Sequence, residues 1–326
     1  MKISWKSIKL PVYIYSALIV ILALVPLFVT SSYWLHVLIM IFIYLVVAVS
    51  MRFIVISGQF PMAHAAFMGI GAYFSAVVAK ELGWSLWITI PLAALISMGI
   101  GIFIGYPFAR LRALYYAMVS LFFGVGILQV NYVAQNWTAG YSGLTGITPL
   151  FSGAASKVPY YYFILGITLL CLVAIYRFEF CRIGITLKAI AQSYQAGASV
   201  GINEARYRVL ALAIGCFFAG LAGAVYAHYN LTLSHTSFDM LATLWLFLYL
   251  VIGGMGSFPG PIIGVVVLML IPELLRNLRQ FVPFISAAIL FLVVYLMPQG
   301  LVNLPQLIWS HWFKRKDEGK ELARFS

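Results

Sequence analysis

Long runs of apolar residues, separated by short polar breaks, follow one another along most of the chain. Each run is close to the roughly 20 apolar residues that a membrane-spanning helix needs. The strict apolar/polar alternation that is typical of a transmembrane barrel is not seen, and a stretch such as residues 10–30 is apolar on every face. The pattern predicts an all-α, polytopic membrane protein with about ten transmembrane helices between residues 10 and 304. Their approximate bounds are 10–30, 33–51, 60–79, 84–108, 113–133, 158–176, 208–228, 238–256, 260–275 and 281–303.

Composition supports the same class of protein. Of the 326 residues, 63% are hydrophobic and 9% are charged, whereas soluble domains average about half apolar and a quarter charged residues. This difference excludes a soluble globular protein and predicts a single transmembrane domain over residues 1–326, largely in contact with membrane lipid. The three cysteines show no metal-ligand spacing and are predicted to be small packing residues.

The basic residues indicate how the chain is oriented in the membrane. There are 20 Lys and Arg against 8 Asp and Glu, and in membrane proteins basic residues concentrate on the cytoplasmic side. With both termini inside, that side holds Arg52, Arg208 and the tail 305–326, while Arg276 and Arg279 fall outside against the rule. The chain is therefore predicted to be a multi-pass protein of the cell inner (plasma) membrane, with no nucleic-acid partner.

Few residues in the predicted spans could carry chemistry. An ionisable side chain at mid-membrane is costly and usually marks function, yet the histidines are scattered singly, and Asp239 and Glu273 fall near span ends. We therefore expect spans without buried charge, and no catalytic residue, metal or cofactor. This argues against an ion-coupled carrier and against an intramembrane metalloenzyme, so if the protein moves a solute uphill, the energy should come from elsewhere.

Glycine and proline are concentrated in one early segment, residues 56–76, which reads ISGQFPMAHAAFMGIGAYFSA. Pro61 lies near its start, and the segment predicts a short, closely packed helix that is either continuous or broken. Broken helices often mark a transport path because a cavity must satisfy their backbone groups; tight packing of small residues is the alternative. The candidate path residues here and in the span 113–133 are Gly58, His64, Gly69, Gly71, Ser120, Gly124, Gln129 and Asn131.

A second segment, residues 252–264, holds five glycines and two prolines in the sequence IGGMGSFPGPIIG. It cannot form a regular continuous helix, and a tight re-entrant turn between two spans is predicted. It shares the pattern G-x-F-P with residues 58–61, which is compatible either with an internal repeat or with chance.

The most polar segment before the tail is the predicted cytoplasmic loop 179–208. Its second half, QSYQAGASVGINEARYR over residues 192–208, predicts a short helix-turn-helix of small residues. Small side chains allow another protein to approach the backbone closely, although an ordinary connecting loop would have the same composition.

At these segments the chain resembles the permease subunits of ABC importers for branched-chain amino acids, of the LivM type. The resemblance covers residues 46–304, and its motifs keep their order and spacing. They are SGQFPMAHAAFMGIGAY (57–73), LRALYYAMVSLFFG (111–124), NWTAGYSGLTGI (136–147), IGITLKAIAQSYQAGASVGIN (183–203), FFAGLAGAVYAHY (217–229) and GGMGSFPGPIIG (253–264).

The resemblance implies a type II-like permease that moves leucine, isoleucine and valine without covalent chemistry. It implies a heterodimer with a paralogous permease, two ATP-binding subunits and an extracytoplasmic solute-binding protein. The chain has no GxxxxGK[ST] motif, so the ATPases would be separate chains. An ABC permease for another small solute, such as urea, an amide or an aromatic acid, and an ion-coupled secondary carrier are the alternatives.

The same resemblance places the contact with the ATPases in the loop 179–208. The implied coupling residues are Gln192, Gln195, Ala196, Gly197, Gly201 and Asn203. Two departures from the family pattern stand out. Gln192 and Gln195 replace the usual acidic residues, and Phe60-Pro61 and Ala63 replace the usual Leu-Ser and Gly near the predicted path.

Overall fold

The computed structural model describes residues 21–28, 31–111, 113–151, 156–274, 280–281, 284–285, 287–288, 291, 295 and 300–303. The predicted tail and residues 276 and 279 lie outside this range, and only parts of the first and last predicted spans lie inside it. The number of ten spans therefore stays a prediction.

The described part of the chain is built almost entirely from α-helices, and an eight-residue helical stretch, 21–28, precedes the first of them. In chain order the helices are α1 (Ser32–Val55), α2 (His64–Glu81), α3 (Leu86–Phe108), α4 (Ala113–Val133), α5 (Gln135–Thr138), α6 (Val158–Phe180), α7 (Arg182–Gln192), α8 (Tyr194–Ser199), α9 (Glu204–Asn230), α10 (Met240–Gly253) and α11 (Pro259–Leu274). Two short strands, β1 (Leu144–Thr145) and β2 (Thr232–Leu233), pair antiparallel with Leu144 opposite Leu233.

Five helical stretches of the described chain are long and apolar enough to cross a membrane. This confirms the prediction of an all-α, multi-pass membrane protein. The stretches are Ser32–Val55, Leu86–Phe108, Val158–Phe180, Glu204–Asn230 and Thr236–Gly253, the last of which combines a 3₁₀ turn with α10.

Helix α9 lies at the centre of the fold and packs on α1, α2 and α3. Its glycines allow this close approach: a side chain on Gly223 would collide with the carbonyl of Met68, and one on Gly220 would collide with Ser97. From the other side, a side chain on Gly71 would meet the backbone of Gly220. Small residues at helix crossings are typical of membrane proteins, where van der Waals contact drives association.

Both glycine- and proline-rich segments interrupt the helices, as predicted. Residues 56–63 separate α1 from α2, so α2 begins four residues after the start of the predicted span 60–79 because the chain first passes Pro61. Residues 254–258 form the tight turn between α10 and α11. Gly254, with φ of +110°, adopts a backbone conformation there that other residues rarely accept.

Candidate functional site

Two helices, α2 and α10, begin beside the middle of α4 rather than at its end. Gly124 lies about halfway along α4, and a Cβ atom built on it would be 3.4 Å from the Cα atom of Ala63, the residue before α2. Gly124 also shares a small cavity with Asp239 and Met240, where α10 begins. Because α4 has 21 residues, about 31 Å of helix, both starts lie deep within the helical layer.

The backbone at the start of α2 is held by hydroxyl groups from neighbouring helices. The Met62 amide donates to Ser120 Oγ of α4 at 3.1 Å, and the Ala65 amide donates to Thr243 Oγ1 of α10 at 3.3 Å. The first amides of a helix have no partner within the helix, and inside a membrane they need one from the protein. The Thr243 hydroxyl therefore satisfies one of the first amides of α2 at this depth, and the Ser120 hydroxyl holds the residue before the N-cap Ala63.

The carboxylate of Asp239 holds the backbone at the start of α10, as the hydroxyls do at the start of α2. Its Oδ1 accepts a hydrogen bond from the Ala242 amide at 2.9 Å, which makes it the N-cap of α10. The side chain is half-buried, and it lines two neighbouring cavities. Sequence reasoning placed Asp239 only near a span end, although an Asp directly before an apolar run is a typical helix-start signal.

The first cavity lies between α2, α4 and α10. It has a volume of about 10 Å³, and apart from Asp239 and Thr243 its walls are almost wholly apolar, as at Ala66, Leu121 and Val125. That is room for about one water molecule. An amino acid cannot pass here unless the surrounding helices move.

The second cavity is an open groove between α1, α10 and α11, on the other side of Asp239. Its volume is about 410 Å³, within the usual range of small-molecule sites. Tyr44, Trp245, Tyr249 and Leu268 line it, and Asp239 is the one carboxylate among its described lining residues.

Three of the predicted path residues lie at or beside the small cavity. Gly124 lines it, and Ser120 lies one turn away on the same helix. Gly69 faces Phe238, a cavity residue, whose ring would be 3.1 Å from a Cβ atom built on Gly69. The structure therefore brings these three together around the starts of α2 and α10.

The other predicted path residues lie elsewhere. Gly71 packs against α9, and His64 is fully buried, with its Nε2 hydrogen-bonded to Ser50 Oγ at 2.9 Å. Gly58, at φ +81°, lies 3.6 Å from Ala191 of α7, measured from a built Cβ atom. Gln129 is exposed on α4, and the side chain of Asn131 lies outside the described residues.

The predicted coupling loop folds as α7, α8 and a turn that leads into α9, so the predicted helix-turn-helix is confirmed. Gln192, Gln195 and Gly201 are exposed, whereas Gly197 is buried near Ile190. Gly201 has φ of +79°, and Asn203 caps α9 by accepting a hydrogen bond from the Arg206 amide at 3.2 Å. The side chain of Ala196 lies outside the described residues.

One expectation from the sequence is wrong, because the spans do contain buried charge. Arg52 and Glu179 are each 1% exposed, and the Arg52 guanidinium donates to both carboxylate oxygens of Glu179. Lys188 of α7 donates to the same carboxylate, with its Nζ 2.8 Å from Oε1. The predicted span 33–51 stopped just before Arg52, but α1 continues to Val55 and takes the guanidinium into the protein.

Arg208, which is also predicted to lie on the cytoplasmic side, is buried as well, at 7% exposed. It pairs with Glu204 one turn earlier in α9, and its Nη1 donates to the Leu111 carbonyl at 3.4 Å. A charge count along the sequence does not show that a basic residue also joins helices, as Arg52 and Arg208 do.

Comparison with known proteins identifies a family over most of the chain. The family model "Branched-chain amino acid transport system / permease component" matches residues 33–298. The chain is 28% identical over 296 residues to the high-affinity branched-chain amino acid transport system permease protein LivM of Salmonella typhimurium, covering 81% of this chain and 69% of that protein. It is 27% identical to LivM of Escherichia coli K12 over the same shares.

A second kind of permease is also similar. The high-affinity branched-chain amino acid transport system permease protein LivH of Escherichia coli K12 is 30% identical over 146 residues, which is 43% of this chain and 46% of LivH. No solved structure matches the chain. The matches are to transport components rather than to enzymes, and the match over residues 33–298 shows that the chain belongs to the family of permease components of branched-chain amino acid transport systems.

Proposed function

We propose that this chain is a LivM-type permease subunit of an ABC importer and that it translocates leucine, isoleucine and valine. Family membership and the two LivM relatives support the transport role. The observation that carries the proposal is the meeting of the α2 and α10 starts at Asp239, between a closed apolar cavity and an open apolar groove.

The chemistry of this meeting point suits a zwitterion with an apolar side chain. The carboxylate of Asp239 can receive the ammonium group of the solute, as a charge-assisted hydrogen bond. The start of α2, whose N-cap Ala63 gives no side-chain cap, presents the positive end of a helix dipole to the solute carboxylate. Trp245 and Leu268 of the groove offer contact to a branched side chain.

The closed cavity calls for an external source of energy. A cavity of about 10 Å³ must widen before an amino acid passes, and the widening would follow from ATP-driven movement of two cytoplasmic ATP-binding subunits. These would dock on the segment 192–203, which includes Gln192, Gln195, Ala196, Gly197, Gly201 and Asn203. A paralogous permease would form the other half of the path, and an extracytoplasmic binding protein would deliver the solute.

The finer features of the proposal extend the sequence predictions. The chain would be one permease domain, 1–326, with about ten spans in a type II-like arrangement in the cell inner membrane. Within it the path would pass Gly69, Ser120, Gly124 and Asp239. The other predicted path residues, Gly58, His64, Gly71, Gln129 and Asn131, stay predictions.

The test is reconstitution of the complete importer in proteoliposomes with a panel of binding proteins. We expect leucine and isoleucine uptake that requires ATP hydrolysis and stops with a non-hydrolysable analogue. Absence of such uptake with every binding protein would refute the substrate assignment. Uptake by the permeases alone under an ion gradient would refute the ABC mechanism.

A further inference from the structure

We propose that Arg52 is a positioning residue that joins the coupling helix α7 to the glycine-rich turn 254–258, and through that turn to Asp239. The inference rests on the proposed transport function, since it assigns the route by which movement at α7 reaches the path. It is based on the charge cluster of Arg52, Glu179 and Lys188, which has no role in the proposed solute path or in the proposed docking segment 192–203.

On one side Arg52 reaches α7 through two charged neighbours. Its guanidinium is paired with Glu179, and Glu179 Oε1 in turn accepts a hydrogen bond from Lys188 Nζ at 2.8 Å. Lys188 lies in the middle of α7, and its ammonium is 4.9 Å from the ring centroid of Phe180 at the end of α6. Arg52 and α7 are therefore linked through one shared carboxylate.

On the other side Arg52 holds the turn between α10 and α11. Its Nε donates to the Met255 carbonyl at 3.0 Å and its Nη2 approaches the Gly256 carbonyl at 3.5 Å. The guanidinium also lies 6.0 Å from the ring centroid of Phe258. A guanidinium has five donors in a rigid fork, which lets one side chain bind a carboxylate and two backbone carbonyls together.

Movement of the turn 254–258 would shift Asp239 at the other end of α10. This helix has 14 residues, so about 21 Å of rigid helix connect the turn to Asp239. The backbones of α10 and α11 are in direct contact at Gly260 and Gly264. A side chain at either position would collide with the carbonyl of Gly254 or Tyr249, respectively. The pair therefore moves as one body when the turn is pulled.

We call the link from α7 through Glu179 and Arg52 to the turn 254–258 the joint. Two substitutions weaken this joint without leaving a buried charge unpaired, and we call them the joint variants. Arg52→Lys keeps the positive charge beside Glu179 but replaces the fork by a point charge, which cannot also reach the turn carbonyls. Lys188→Gln cuts the link from Glu179 to α7, while Glu179 keeps Arg52, and Lys188 itself is 40% exposed. Arg177→Gln is the matched control, since Arg177 is an exposed cation two residues before Glu179, at the same end of α6.

The first readout is the number of leucine molecules taken up per ATP hydrolysed by the reconstituted complete importer. For Arg52→Lys and Lys188→Gln we expect ATPase association and hydrolysis to persist, and uptake per ATP to fall by a factor of about 2 to 30, the range of coupling effects of mutations along such networks. Arg177→Gln should keep the wild-type ratio. A wild-type ratio in both joint variants would overturn the proposal.

The second readout needs no solute, so it separates this proposal from the assignment of the substrate. A spin label on Leu241→Cys, at the start of α10 and 63% exposed, reports movement of this helix in a Cys181→Ser background. We expect the ATP-dependent displacement of the label to shrink in both joint variants, even if the wild type transports no leucine. A displacement equal to that of the wild type would show that α7 does not act through Arg52.

Discussion

Removing the charge of Asp239 while keeping its cap would test the role given to this residue in the path. Asp239 has two separable tasks in the structure, since its Oδ1 caps α10 through the Ala242 amide at 2.9 Å and its carboxylate lines both cavities. Asparagine is as good an N-cap as aspartate, so Asp239→Asn removes the charge and keeps the cap. Asp239→Ala removes both.

Loss of the cap and loss of the charge should affect different measured quantities, stability in the first case and uptake in the second. Loss of a cap costs about 0.5–2 kcal/mol of stability, and this cost should appear in the Ala variant alone. A hydrogen bond to a charged group contributes about 1.5–3 kcal/mol, which corresponds to a factor of about 10 to 150 in rate or affinity. We therefore expect Asp239→Asn to retain stability and to lose about 10- to 150-fold in leucine uptake.

The assay measures initial uptake of labelled leucine into proteoliposomes that contain the complete importer, together with the thermal midpoint of each purified variant. Asp239→Glu serves as the control, because it restores the charge at the same position and should recover part of the uptake. ATP hydrolysis is measured in parallel, so that a loss of uptake is not confused with a loss of assembly.

The reasoning would be refuted if Asp239→Asn took up leucine at the wild-type rate. That result would leave Asp239 as a helix cap only, and the solute path would have to pass elsewhere. A thermal midpoint lowered equally in the Asn and Ala variants would contradict the separation of the two tasks.

Three further predictions follow from glycine positions and from one buried hydroxyl. Gly223→Val should destabilise the α2–α9 crossing by about 1–3 kcal/mol, since overpacking costs that much; thermal unfolding in detergent measures it, and Gly99→Val, where a Cβ atom meets nothing within 4 Å, should be nearly neutral. Gly201→Val, at φ +79°, should weaken co-purification of the ATP-binding subunits while the permease still inserts; Gly83→Val, at φ +64° between α2 and α3, carries similar strain far from the docking segment and should leave co-purification intact. Thr243→Val leaves the buried Ala65 amide without its acceptor and should lower stability by about 1–3 kcal/mol; an unchanged thermal midpoint would show that this hydrogen bond contributes nothing.

Much of the fold follows from local sequence patterns. The predicted spans 84–108 and 113–133 agree with α3 and α4 to within a few residues, because a continuous apolar run can satisfy its backbone in a membrane only as a helix. The interruptions at 56–63 and 254–258 were also predicted, since proline and glycine act within one turn of the chain. The family resemblance is confirmed over residues 33–298.

The depth at which a helix begins could not be read from the sequence. The span predicted at 238–256 agrees with the apolar stretch Thr236–Gly253, but the sequence does not show that α10 itself starts at Met240, beside the middle of α4. What fixes its start is contact with residues far away in sequence, such as Gly69 against Phe238 and Ala65 against Thr243. Such contacts leave no local pattern, which is why Asp239 was seen only as a residue near a span end.

The buried ion pair shows why the expectation of spans without buried charge was wrong. An average over some 20 residues hides a single Arg, and an Arg at the end of a run looks the same whether it faces the headgroups or the protein. Arg52 differs because Glu179, one of only 8 acidic residues in the chain, ends another apolar run and can neutralise it. Burying two charges is costly and often gains no stability over apolar packing, so stability alone gives little reason to place the pair here. The pair does meet α7, in the predicted coupling loop, on one side and the glycine-rich turn 254–258 on the other. In a chain this poor in charge, an acidic residue at the end of a predicted span is therefore the first place to look for contacts that transmit movement.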